Sequence, residues 1–463
     1  MALKTRKVSS TDTEGFNETV KFEVLHCGNV QGNNNKFYCL EIQKHSNGQY
    51  RLFSHYGRLN KTNMYDVREN SNANLNDFEK EFEKIIKKKM RGKKIKEKDG
   101  STREEKYTKV ETVQPTVGSP NICNKSKTVD KDVGIDTSAY TCNEVNRILE
   151  QFIKENIHNI TSKTSLTFTS NGFETPLGPV TKEHVQKARK PLQVLRKKLR
   201  KDNTLNKKLE SVQIANNEYF SLIPHVFGHK ITENDWILDG EKLEDEMELL
   251  DQLETAVTLG ANANSAKNNL EKLGTEIELL EDKKEIARIK DYYLNSRASN
   301  HRQIFGYKIK NIFKIKIPEE RKRYEQGGKP LGNIQEVFHG SRNCNLLSIL
   351  KGGLIVPPTQ GGNFTIAGRM FGNGVYGAVN STKALNYSVG YWTGDSNKYP
   401  NKFLFLADFA MGKTQILHSH QYHGADKGYD SVWAKAGRAL YNDELIVYDL
   451  KQQTLKYLIE LEE

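Results

Sequence analysis

The 463 residues carry 70 Lys and Arg against 58 Asp and Glu, a net charge of +12, and only 36% are hydrophobic. That length exceeds one compact core and predicts roughly two to four domains. No run reaches the roughly 20 apolar residues of a membrane span, and Met1 to Val20 holds no apolar stretch of a secretory signal, so a reducing compartment is expected. The five cysteines (Cys27, Cys39, Cys123, Cys142, Cys344) are odd in number and never spaced as C-x2-C, which excludes a disulfide framework or a zinc finger. The positive charge favours polyanionic partners, because Lys and Arg that neutralise phosphates release counterions.

Residues 1–19 read as disordered. Residues 20–112 read as a small β-rich unit, with strands over Lys36–Lys44 and Gln49–Arg58 joined by Asn47-Gly48, a strong hairpin signal. Leu75, Phe78, Phe82, Ile85 and Ile86 then recur at helical spacing, with Asn74 or Asn76 as the cap. This helix runs into Lys84–Lys98, with nine Lys or Arg and one acid, dense enough to hold a phosphate backbone or to serve as a nuclear-import signal. Residues 113–137, with Pro115 and Gly118-Ser119-Pro120, read as a flexible linker.

Residues 138–260 are predicted to be helical. One helix, capped by Thr181, lines up Val185, Ala188, Leu192, Leu195 and Leu199; another lines up Leu243, Met247, Leu250, Leu253 and Val257. An Asn- and Glu-rich helical connector is expected over 261–290. From 291 to 463 short apolar runs alternate with glycine-rich turns, the pattern of a mixed α/β domain. The expected fold class is therefore multidomain α+β.

Three clusters in that last domain carry chemistry. Val337-Phe338-His339-Gly340-Ser341-Arg342 puts a histidine at the end of a buried strand, before a glycine whose backbone can approach a planar ligand. Gly372-Asn373-Gly374-Val375-Tyr376 feeds a strand that ends in an aromatic, and a helix over Ser381–Tyr387 sets Lys383, Ala384 and Tyr387 on neighbouring turns. Asn442-Asp443-Glu444 puts a carboxylate against a buried strand, an expensive place for an unpaired charge. Gly412-Lys413-Thr414 does not complete a P-loop, because the first glycine of that motif would fall on Ala407.

In that order these clusters resemble the catalytic domain of poly(ADP-ribose) polymerases, whose H-Y-E triad is matched by His339, Tyr376 and Glu444. Pro176-Leu177-Gly178, Tyr219–Gly228 and Met247–Asp251 are similar to the regulatory helical domain of the DNA-dependent branch. Tyr56-Gly57-Arg58 resembles the WGR domain, with tyrosine in place of tryptophan. The match is to short, WGR-first members without zinc fingers.

The resemblance implies transfer of ADP-ribose from NAD, a substrate, through an oxocarbenium-like transition state, with no metal. It implies NAD contacts from His339, Gly340, Ser341, Tyr376, Lys383 and Tyr387, with Glu444 polarising the acceptor hydroxyl. It further implies activation by DNA nicks or ends, acceptors that include the protein itself, poly rather than mono product, and nuclear localisation without membrane attachment. DNA contacts are expected from Tyr56, Arg58, Lys87, Lys88, Lys89 and Arg91. A DNA-binding scaffold with a degenerate NAD site is the alternative. Two departures stand out: Asp443 is an extra acid beside Glu444, and Ala384 replaces a serine whose hydroxyl donates to the nicotinamide carboxamide in active relatives.

Overall fold

The computed structural model describes residues 3–9, 15–29, 34–58, 64–96, 102–110, 143–169, 172–175, 178–200, 203–227, 232–259, 273–355, 370–390, 400–438 and 440–463. Its chain forms two compact units, one of residues 1–133, 160–195 and 206–238 and one of residues 134–159, 196–205 and 239–463. The helices expected over 138–260 are present and are shared between these units; the linker expected over 113–137 lies outside the described residues.

The first unit is built on a six-stranded sheet ordered β1-β5-β4-β3-β2-β8. Its strands are β1 (Lys4–Lys7), β2 (Phe16–Asn29), β3 (Asn34–His45), β4 (Tyr50–Arg58), β5 (Met64–Glu69) and β8 (Thr108–Val110). Helix α1 (Leu75–Arg91) precedes a hairpin of β6 (Lys93–Lys96) and β7 (Thr102–Glu105). The β3–β4 turn is a four-residue connection, Ser46 to Gln49, with Gly48 N–H bonded to His45 O, His45 N–H bonded to Gln49 O, and positive φ at Gly48 alone. Asn74 caps α1 in a reciprocal box with Asp77, and Phe78, Phe82, Ile85 and Ile86 bury its apolar stripe on Leu40, Ile42 and Leu52. Residues 1–19 are not uniformly disordered as expected. Lys4–Lys7 pairs with Asp66–Glu69 as an edge strand whose side chains are all exposed, so no apolar alternation announces it.

The first unit also holds the helical region's small three-stranded sheet, β9 (Thr167–Thr169), β10 (Gly172–Thr175) and β11 (Gly178–Pro179), and α4 (Glu210–Leu222). Helices α2 (Asn143–Lys163) and α3 (Lys182–Lys198) each contribute to both units. The region is thus not purely helical. Thr181 caps α3 as expected, its Oγ1 accepting from His184 N–H at 3.2 Å.

The second unit carries α5 (Gly240–Leu259) and two sheets. The five-stranded sheet runs β12-β13-β20-β16-β14, from β12 (Glu276–Leu279), β13 (Lys308–Lys316), β14 (Ile334–Gly340), β16 (Lys402–Ala410) and β20 (Gln453–Glu462). The four-stranded sheet runs β15-β19-β18-β17, from β15 (Val375–Gly377), β17 (Thr414–Leu417), β18 (Ser431–Ala434) and β19 (Glu444–Val447). Around them lie α6 (Lys283–Asn295), α7 (Pro318–Arg323), α8 (Leu346–Gly352) and α9 (Ser381–Ser388). Strand β16 is paired on both edges and buried over Phe403–Leu406, which is why its sequence is a continuous apolar run; each such side chain contributes roughly 1.5 to 3 kcal/mol. The connector expected over 261–290 instead supplies β12, which pairs with β13, and the start of α6, so the catalytic fold begins earlier than residue 291.

Two polar seams join helices of the regulatory region to this unit. Arg147 of α2 and the side-chain amides of Asn311 and Asn401 all donate to Glu460 of β20, a carboxylate with no exposed surface. Along α5, Glu248, Gln252, Thr255 and Thr258 face residues 341–351. Gln252 donates to Asn345 Oδ1 at 2.6 Å, Thr255 pairs with Ser348 at 3.1 Å, and Thr258 accepts from Lys351 at 2.9 Å. Among the described residues no helix is long and apolar enough to cross a membrane.

Candidate catalytic cleft

The two sheets of the second unit are tied where β14 ends. Phe338 and Ala378 exchange both backbone hydrogen bonds, at 2.8 and 2.9 Å, which brings the end of β14 against the end of β15. His339 Nδ1 then bonds Tyr376 O at 2.9 Å. A carbonyl can only accept, so Nδ1 carries the proton. Burial holds the imidazole below its ordinary pKa against that bond, so at neutral pH Nε2 is an unprotonated acceptor. The Tyr376 hydroxyl is fixed in turn, accepting from Phe371 N–H at 3.0 Å and donating to Gly372 O at 2.7 Å.

Strand β19 pairs with β15 in the register Tyr376–Ile446 and Gly377–Leu445, which carries Glu444 to the same place. Glu444 is 6% exposed. Oε1 meets Lys383 Nζ at 2.7 Å, and Lys383 also donates to Asn442 O at 3.1 Å. Oε2 is buried and has no hydrogen-bond partner among the described residues. Glu444 thus offers one saturated oxygen and one open one.

Helix α9 supplies the remaining wall. A Cβ at Gly340 would stand 1.9 Å from Ala384 O, so the glycine is required for β14 to lie against this helix. Burial, and then the Glu444 carboxylate, push the Tyr387 phenol up to about 12. Ala384 is buried at 3% exposure. The neighbouring hydroxyls are already engaged, since Ser381 donates to Tyr293 O at 2.7 Å and Thr382 accepts from Ala298 N–H at 2.9 Å. Neither replaces the serine hydroxyl missing at 384.

His339, Gly340, Ser341, Tyr376, Lys383, Tyr387 and Glu444 all line one cavity of about 390 Å3. Sequence reasoning named no lining residue of its other wall, where Glu244, Met247, Glu248 and Asp251 of α5 line the same cavity. Arg342 pairs there with Glu248, and with Asp245 at 3.4 Å. The signal was present in the acids of Met247–Asp251, but helical periodicity assigns them only to a solvated face.

The DNA-contact residues expected from sequence lie in the first unit and divide by environment. Lys87, Lys88 and Arg91 are exposed on α1, and Arg58 is half-buried at the end of β4. Tyr56 stacks on Tyr38 with ring centroids 5.5 Å apart, and Lys89 Nζ lies 4.1 Å from the Tyr38 ring and 4.9 Å from that of Tyr107. Those two side chains are therefore engaged in packing, not freely presented to a ligand.

Comparison with known proteins matches this architecture in three segments: the WGR domain over residues 23–101, the poly(ADP-ribose) polymerase regulatory domain over 143–276, and the poly(ADP-ribose) polymerase catalytic domain over 283–439. The last match stops short of Glu444, which the β15–β19 ladder joins to it. Fold and cleft thus define the class of multidomain proteins that couple a WGR domain and a regulatory helical domain to this catalytic fold. Similar curated proteins include poly [ADP-ribose] polymerase 1 of Gallus gallus, 29% identical over 65% of this chain and 32% of the relative. Protein mono-ADP-ribosyltransferase PARP3 of Homo sapiens is 24% identical over 89% of this chain and 76% of the relative. Poly [ADP-ribose] polymerase of Drosophila melanogaster is 27% identical over 65% and 33%. The chain belongs to the poly(ADP-ribose) polymerase family, and it spans about a third of the length of the polymerase 1 relatives it matches.

Proposed function

We propose that the protein is an NAD-dependent ADP-ribosyltransferase of the nucleus, stimulated by DNA nicks or ends, that modifies itself and chromatin or repair proteins and extends poly(ADP-ribose). The observation that carries this reading is the pairing of a buried, unpartnered Glu444 Oε2 with a neutral His339 in one cleft. An open carboxylate oxygen suits a ribose hydroxyl donor, and His339 Nε2 suits a second. Tyr376 and Tyr387 line the cleft beside the Gly340 backbone, a surrounding in which a flat carboxamide ring can stack and pair. NAD, when bound, supplies the leaving nicotinamide and the ribosyl group; Glu444 then stabilises the developing cation and takes up the acceptor hydroxyl's proton as chain growth proceeds.

The acids of α5 line the same cavity, so a slow resting state and its release by DNA-induced local opening of that helix follow. Arg58, Lys87, Lys88 and Arg91 supply the phosphate contacts. The test is incubation with labelled NAD, with and without a nicked, 5′-phosphorylated duplex. Label transferred to protein only when the duplex is present supports the reading. Tight duplex binding with no nicotinamide release returns the protein to the scaffold reading that Ala384 keeps in play.

A further inference from the structure

The residue before Glu444 is also an acid, and its partners are of a different kind. Asp443 Oδ2 accepts from Trp433 Nε1 at 2.7 Å and from Lys435 Nζ at 2.9 Å, while Oδ1 accepts from the Ala436 N–H at 2.8 Å. Lys435 Nζ also lies 3.7 Å from the centroid of the Trp433 ring. All three donors therefore come from the last residues of β18 and those just after it. That strand runs antiparallel to β19, and its Ala434 stands opposite Glu444 in the ladder. Asp443 does not line the cleft, as strand alternation requires of the neighbour of a residue that does. Burial alone would raise its carboxyl pKa, but the three hydrogen bonds hold it below the ordinary value, so the anchor stays charged at neutral pH.

On its other side Glu444 is held by Lys383, which bonds both Glu444 Oε1 and Asn442 O. The chain from 442 to 444 is therefore fastened at consecutive residues from two directions. Lys383 restrains the carboxylate itself; Asp443 restrains the backbone from which it projects.

We infer that Asp443 is a positioning residue for the transfer reaction, clamping the start of β19 to the end of β18 so that Glu444 stands where its open oxygen meets the substrate. The inference rests on the transferase reading of Glu444. Asp443 touches neither substrate nor reacting atoms, and its effect passes through Glu444 alone. Displacing a catalytic group by about 1 Å can cost on the order of 100-fold in rate, so a clamp of three hydrogen bonds one residue away has leverage out of proportion to its own burial.

The experiment is steady-state NAD turnover by the full chain with saturating nicked duplex. Asp443→Ala lowers kcat about 10- to 100-fold and leaves KM for NAD within about twofold, because Gly340, Tyr376 and Tyr387 are untouched. Trp433→Phe keeps a ring under Lys435 and removes only the Nε1 donor, so it lowers kcat about two- to fivefold with the same unchanged KM. Asp443→Asn, which keeps an acceptor for Ala436, falls in that smaller range. In a Glu444→Gln background Asp443→Ala costs nothing further in residual NAD hydrolysis, the non-additivity expected of a residue that acts through another. A raised KM, an equal loss in both backgrounds, or parental kcat in Trp433→Phe and Asp443→Asn overturns the inference. Should Asp443→Ala fail to fold, the two milder variants decide it. Failure of the transferase reading itself looks different: the parent chain then releases no nicotinamide.

Discussion

The two walls of the cleft are built on different principles. On one side, His339, Tyr376 and Glu444 project from strands locked by ladder bonds, and each has a polar atom tied to a neighbouring backbone or side chain before any ligand arrives. On the other, Glu244, Glu248 and Asp251 stand on a helix attached through side-chain pairs, of which the Arg342–Glu248 contact has one partner at 12% and the other at 43% exposure. A preorganised wall costs nothing to assemble at the moment of reaction, whereas a partly solvated polar pair costs little to break.

The largest expected effect breaks the fixed wall at its one open oxygen. Glu444→Gln keeps the shape and removes the charge, and it should lower chain extension about 10²- to 10⁴-fold with NAD affinity little changed, read by product length on gels beside NAD binding. Ala384→Ser tests a vacancy in the same wall. Restoring one neutral hydrogen bond is worth about 0.5 to 1.5 kcal/mol, a two- to twelvefold gain in NAD affinity and in sensitivity to nicotinamide-mimicking inhibitors, measured by titration. If that substitution instead turns an inert chain into an active one, the scaffold reading holds for the natural sequence.

The movable wall should respond more gently. Glu248→Gln removes the charge that holds Arg342, and because Glu248 is partly exposed the pair is worth about 0.5 to 1 kcal/mol, so DNA-independent turnover should rise about two- to fivefold while turnover at saturating DNA stays put. Equal gains with and without DNA would mean that α5 does not report the resting state. The smallest expected effect concerns His339. Its folded-state pKa is depressed, so the unfolded chain takes up a proton first as pH falls. The second unit should therefore lose stability below about pH 6.5 and be indifferent to this group above it, and His339→Gln should flatten that part of the profile in thermal melts.

The sequence made the fixed wall legible and the movable one opaque, for a physical reason. Buried strands ending at glycine or at an aromatic leave a pattern of short apolar runs, and His339, Tyr376 and Glu444 sit at the ends of such runs. Partnering between distant surfaces leaves no such trace. Nothing local announces that Glu248 meets Arg342, or that Asp443 answers to Trp433. Strands that exist only because a neighbour pairs with them were missed likewise: Lys4–Lys7 is wholly exposed, and Thr414–Leu417 has no fully buried side chain. Tyr56 and Lys89 show the converse, residue types that suit a phosphate or a base but that meet Tyr38, the one by ring stacking and the other with its ammonium over the ring.

Glu460 sets a limit on how far any opening of the regulatory helices can travel. Its only cationic partner among the described contacts is Arg147, near the start of α2. Were that turn to lift away with α5, the Glu460 carboxylate would keep its two amides and lose its counter-charge, which water would have to replace. The start of α2 therefore acts as a tether that pulls the opened state back, and a fragment cut to begin after α5 would gain access to its cleft at the expense of its own durability.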